Sequence, residues 1–209
     1  MSIKTVFSLV LVFALFACGT IRMDLNTTIR DLEDFSHEME ITATEQLALM
    51  LEVALLEDDP TIPTSWDIKQ EGDTLSAKFS HRFKGDEAIA YLSSSSNGKL
   101  MEDDPLTSFS LTATDTPDGT IYRASYSLGD YSDATEDAET GDEIIPDDML
   151  RGMFLFKWTV EMPGEIVNSN SDSVTESTAN FVIDGVDLQN KNELWVESLV
   201  KPNSTACNF

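Results

Sequence analysis

The residue of this sequence whose setting points most directly to a chemical step is Cys18. It closes the run Leu15-Phe16-Ala17-Cys18 and is followed by Gly19. Ahead of it lie Lys4 and an apolar stretch from Val6 to Phe16 broken only by Ser8. A Leu three places before a Cys and a small residue just before it form the setting of a lipobox. There the thiol takes a diacylglyceryl group in thioether linkage, and a lipoprotein signal peptidase then cuts before the Cys. Phe16 is bulkier than the usual residue at its place. The eleven-residue apolar stretch is too short for a hydrocarbon core of ~30 Å, which needs about 20 residues. It therefore reads as residues 1–17 of a signal peptide rather than as a membrane span.

The other candidate groups offer less. His37 and His81 are the only histidines, each inside a strand-like segment and far from any metal-ligand spacing. A partly exposed strand histidine is the expectation for both. No Gly-x-Ser-x-Gly elbow, P-loop or dinucleotide fingerprint is present, so no catalytic residues, cofactor or metal ligands are assigned and an enzyme is not expected. Nine acidic residues and no basic one fall between Gly129 and Asp148. Such a segment suits weak divalent-cation binding, since Ca²⁺ prefers several carboxylate oxygens. It lacks the EF-hand order, however, and a solvated acidic loop is the simpler reading. Cys207 stands alone, without a disulfide framework. The acceptor-like Asn26-Thr27-Thr28 and Asn203-Ser204-Thr205 are discounted beside a prokaryotic processing signal.

Cleavage before Cys18 leaves 192 residues with 12 basic and 38 acidic side chains, a formal charge of −26. A chain of that length buries roughly 70% of its unfolded surface, enough for one substantial core. The charge argues against nucleic acid, whose phosphates need Lys and Arg, and against a polybasic contact with anionic headgroups. Membrane attachment is then expected through the lipid on Cys18, since two or more acyl chains (palmitate is one example) suffice for stable anchoring.

The elements that must carry these residues follow from periodicity. Thr20–Ile29 alternates Ile21, Met23 and Leu25 with Arg22, Asp24 and Asn26, and Phe35–Thr42 returns with Phe35, His37, Met39 and Ile41 on one face. A helix is expected from Thr44 to about Leu56, stopped by Pro60. Trp66–Ile68 leads into the strand Thr74–Phe83, and a short helix from Gly85 to Leu92 would place Ile89 and Leu92 on the core. Residues 107–128 form a hairpin around Asp115-Thr116-Pro117-Asp118-Gly119, where Pro presets φ and Gly supplies φ > 0. Tyr122, Ala124, Tyr126 and Leu128 share a face of its second strand. Gly152–Met162 is a long strand with Phe154, Phe156, Trp158, Val160 and Met162 on one face, most simply core. Pro163-Gly164 ends it, Asn168–Asp172 turns, Thr178–Ile183 returns, and Glu193–Val200 is the last strand. The expected class is α+β, with largely antiparallel sheet and two helices in a single domain over residues 18–209.

Several of these pieces resemble the domain of the mycobacterial lipoprotein LppM and its bacterial relatives. They are Cys18 followed by the hairpin that opens Thr20-Ile-Arg-Met-Asp-Leu-Asn, Trp66 before the strand Leu75–Phe83, and the Asp86-Glu87 helix start. The most specific piece is Phe156-Lys-Trp-Thr-Val-Glu-Met-Pro-Gly-Glu-Ile-Val-Asn-Ser-Asn170. Two departures stand beside these: Asn180-Phe181 lies where relatives often carry Trp, and the sequence given stops at Phe209 where many relatives end in a transmembrane helix. The resemblance implies an extracytoplasmic lipoprotein domain with lipid or glycolipid contacts, and it brings no catalytic residues. The expected role is that of a non-enzymatic binding module for lipid, glycolipid or another envelope component, on the outer face of the cell membrane or on an outer membrane. The alternative is a surface module for a protein partner or divalent cations, using the acidic face.

Overall fold

The structure, a computed structural model, describes residues 19–45, 47–48, 66–96, 108–128 and 147–202. Cys18, Cys207, residues 129–146 of the acidic segment and most of the first expected helix lie outside them. Of that helix, Leu47 and Ala48 are helical and buried.

Among the described residues eleven strands form two sheets. The larger runs in the order β3-β4-β2-β1-β7-β10-β9, and the smaller in the order β5-β6-β11-β8. The hairpin of β1 (Ile21–Asp31) and β2 (Asp34–Thr44) is longer than its pattern suggested and turns on Leu32-Glu33 alone. A second hairpin, β3 (Asp67–Glu71) and β4 (Thr74–Lys84), joins β2 through β4. Helix α1 (Asp86–Ser96) follows, opening with two acidic residues that suit the positive end of its dipole. It contacts both β4 and β5 and so bridges the two sheets.

The hairpin β5 (Ser108–Thr116) and β6 (Gly119–Ser127) pairs in the register its turn dictates. Gly119 has φ +142°, and a Cβ there would collide with the Val200 carbonyl, so both backbone freedom and close approach require glycine. Helix α2 (Asp147–Met153) takes Gly152 and Met153 from the expected long strand, leaving β7 as Phe154–Glu161. Pro163-Gly164 then carries the chain from one sheet to the other. There β8 (Glu165–Ser169) pairs with β11 (Glu193–Val200), while β9 (Ser173–Thr175) and β10 (Thr178–Asp184) return to the larger sheet. Helix α3 (Gly185–Asn190) begins at Asp184, whose carboxylate accepts from the N–H groups of Val186 and Asp187 at 2.9 Å.

The α+β class stands; α1 is the second of the two expected helices, and α2 and α3 add to them. One pairing breaks the antiparallel rule: β1 and β7 run parallel from Ile21↔Phe154 to Thr28↔Glu161. These two central strands carry Met23, Leu25, Phe156, Trp158 and Val160, all buried, into the space between the sheets. Tyr126 of the smaller sheet meets Phe156 and Trp158 at ring-centroid distances of 5.6 and 5.8 Å, which closes the core. In α1 the buried residue is Ala88, with Tyr91 and Leu92 half-buried, and Ile89 is 47% exposed. The core-facing triplet 88, 91 and 92 has i, i+3, i+4 spacing, so Leu92 meets the core as expected and Ala88 takes the place expected of Ile89.

Candidate functional site

The inner face of the larger sheet is covered unevenly. Seven strands face four, and the smaller sheet's ring contacts fall on β2, β7 and their neighbours. On the β3–β4 side Leu75, Ala77 and Phe83 are buried, whereas Phe79 and His81 between them on β4, and Trp66 against Phe79, are only partly covered. Trp66 and Phe79 lie 5.7 Å apart, and the rings of Phe79 and His81 are near-parallel at 6.3 Å. His81 meets Phe83 edge-on at 4.5 Å, and Phe83 lies against Tyr91 of α1 at 4.3 Å and Phe35 at 4.9 Å. Trp66, Phe79, His81 and Tyr91 each keep part of their surface open. The rings thus form a ladder that starts at the sheet's open side and ends in the core at Phe35 and Phe109, which are 5.7 Å apart.

The strand registers explain this line. Phe35 faces Phe83, His37 faces His81 and Met39 faces Phe79 across the β2–β4 pair, so every second residue adds to one inner stripe. The two histidines, distant in sequence, are direct cross-strand neighbours. Their surroundings differ sharply. His81 Nε2 lies 2.8 Å from Glu87 Oε1 at the start of α1, with 27% of its side chain exposed.

His37 is buried, against the expectation of a partly exposed strand histidine, because Phe109 of the smaller sheet packs perpendicular to it at 4.7 Å. Its Nδ1 lies 2.9 Å from Thr27 Oγ1, and that oxygen accepts from Trp158 Nε1 at 3.0 Å. Among the described residues the Thr27 proton has no acceptor besides His37 Nδ1, which puts the imidazole proton on Nε2. Among the described residues Nε2 has no hydrogen-bond partner, and it sits among aromatic rings, a weak substitute for an acceptor. Burial, reinforced by neighbouring His81, pushes the His37 pKa down to about 3, so the ring is neutral.

Phe154, Phe156 and Trp158 do not line an open cleft; they are covered core, as their alternation suggested. No three His, Cys, Asp or Glu side chains among the described residues are grouped to hold a metal ion. No described helix is long and apolar enough to cross a membrane. Sequence reasoning found both histidines but missed that they face one another. Their shared phase with Phe35, Met39, Phe79 and Phe83 was visible in each strand separately, and only the pairing was hidden.

Neither the family models nor the curated proteins gave a match to the sequence. Among solved structures, the chain is similar to the folded domain of LppM from Mycobacterium tuberculosis, determined by NMR. The superposition covers 89% of this chain and 93% of that one, at 12% identity and a TM-score of 0.46. This is the lipoprotein that the segment Phe156–Asn170 resembles. At that identity and TM-score no residue role or ligand is carried across.

Proposed function

We propose that the protein is a lipoprotein anchored through Cys18 to the extracytoplasmic face of a membrane, and that its folded part is a non-enzymatic binding module for a lipid, glycolipid or similar envelope component. The observation that carries the binding role is the half-covered ladder Trp66–Phe79–His81–Phe83–Tyr91. Partly open aromatic surface binds acyl chains by burial at roughly 25 cal/mol per Å². Aromatic rings also take the apolar faces of sugars, while His81 and Glu87 supply a polar end for a headgroup. Ligand sites of this kind combine apolar walls with a few polar groups. The −25 charge of the whole chain favours neutral or zwitterionic ligands over anionic ones.

The anchoring part is tested by the intact mass of the processed protein, which should start at Cys18 and carry a diacylglyceryl group. Cys18→Ala should remove that mass and, where the leader is still cleaved, membrane attachment. A cleaved, unacylated form that stays on the membrane contradicts the single anchor. The binding part is tested by extracting the purified, processed protein for co-purifying lipid, with Trp66→Ala as the comparison. Equal lipid content in both forms contradicts binding at the ladder.

A further inference from the structure

The residues directly after Cys18 are held tightly to the fold. Thr20 is already held to the end of the first hairpin: its N–H donates to Thr44 Oγ1 at 2.9 Å, and its carbonyl accepts from Thr44 N–H at 3.1 Å. Glu45 N–H in turn donates to the Asp73 carbonyl at 2.7 Å, tying this end of β1–β2 to the Gly72-Asp73 turn. Gly19 is itself packed down, since a Cβ on it would stand 2.7 Å from the Thr44 carbonyl oxygen and 3.1 Å from Leu47 Cδ1. Two residues extended span at most about 7 Å, so a lipid on Cys18 leaves the fold no slack.

We infer that the domain rests on the bilayer by one fixed end: the end built from Thr20, Thr44-Glu45, the Gly72-Asp73 turn and helix α2. This rests on the reading of Cys18 as acylated. The strand registers say which elements share that end. Ile21 at the start of β1 faces Ala43 of β2 and Phe154 at the start of β7, directly after α2. Ala43 faces Leu75, next to the Gly72-Asp73 turn. Met153 packs with Ile21 on Ala43, Leu47 and Leu75. At the opposite end lie Leu32-Glu33 and Gly85, whose N–H donates to the Glu33 carbonyl at 2.8 Å. Eleven residues of β1 separate the two ends, about 35 Å along an extended strand.

The occupant of this face is the bilayer surface, brought there by the tether rather than by charge. Glu45, Asp73, Asp147 and Asp148 all lie at this end, so anionic headgroups would be repelled and neutral or zwitterionic ones are accepted. The ladder's closed end, near Phe35, Phe83 and Gly85, lies away from the lipid, and its open start at Trp66 and Phe79 lies about midway along β4.

The test uses the full, acylated protein on phosphatidylcholine vesicles containing a headgroup nitroxide lipid. A small fluorophore is placed through Asp73→Cys or Glu33→Cys, each with Cys207→Ser. Vesicle flotation first selects the attached protein. The label at position 73 should lose most of its emission to the nitroxide, and the label at position 33 should lose none. A ten-residue Gly-Ser insertion between Cys18 and Gly19 should abolish the loss at position 73. Flotation with equal quenching at both positions, or quenching unaffected by the insertion, overturns the fixed orientation alone. Failure to float overturns the acylation of Cys18, and the orientation falls with it.

Discussion

The two halves of the larger sheet's inner face share aromatic residues and differ in how far these are covered. On the β1–β7 half, Phe156 and Trp158 are buried under Tyr126 and are spent on the core. On the β3–β4 half, Trp66, Phe79 and His81 remain in part open. His37 and His81 mark the border, one sealed and neutral, its neighbour across the strand pair solvated and hydrogen-bonded to Glu87. Residue type alone therefore does not separate the sealed half from the open one in this fold. What separates them is which strands the smaller sheet reaches.

If that division is right, truncations on the covered half should cost stability, and truncations on the open half should cost binding. The largest effect is expected for Trp158→Ala, which removes a fully buried indole and its hydrogen bond to Thr27. Loss of ~3–5 kcal/mol in urea unfolding is expected; a loss below 1 kcal/mol would mean that the two sheets are not packed as described. Thr27→Val keeps the volume but leaves Trp158 Nε1 and His37 Nδ1 without their shared partner. Stability should fall by about 1–3 kcal/mol, the cost of buried groups left unpaired.

His37 gives the border a pH signature. Its folded value of about 3 lies below the ordinary 6.5, so as pH falls the unfolded chain takes the proton first. The stability contribution is whole above about pH 6.5 and is lost progressively as pH falls towards 3, at up to ~1.4 kcal/mol per pH unit. Asp34, held at about 2 chiefly by the Arg82 hydrogen bond, loses its contribution only below its ordinary 3.8. Asp34 therefore adds little slope between pH 6.5 and 4.5, where a variant of His37 reports that residue's share. His37→Gln, which can still accept from Thr27, should flatten the slope there; an unchanged slope assigns it elsewhere. The smallest stability effect belongs to the open half. Trp66→Ala should cost no more than about 1 kcal/mol, the scale of a site without a packed core around it, while abolishing lipid retention.

Strands with strict alternation were legible in the sequence: β1, β2, β4, β5, β6 and β11, and the buried row of β7. The polar strands were not. Glu165–Ser169 and Ser173–Thr175 are short edge pieces with mostly exposed side chains, so no apolar period marks them. Helix α3 carried a signal that went unused, the capping Asp184 two and three residues before the N–H groups it accepts from. The parallel β1–β7 contact and the facing histidines could not be read, because periodicity fixes a strand's face and not its neighbour. Burial of His37 follows from that same missing information, since it depends on Phe109, more than seventy residues away.

The binding role of the open half is tested most directly by native mass spectrometry of the processed protein mixed with extracted envelope lipids. The wild type, Trp66→Ala and Trp195→Ala are compared; Trp195 lies on the smaller sheet beneath the Arg123 guanidinium, 4.6 Å from its ring centroid. A discrete lipid adduct on the wild type and on Trp195→Ala, absent from Trp66→Ala, is the expected result. No adduct on any of the three, or an adduct that survives Trp66→Ala unchanged, would contradict the ladder as a lipid site.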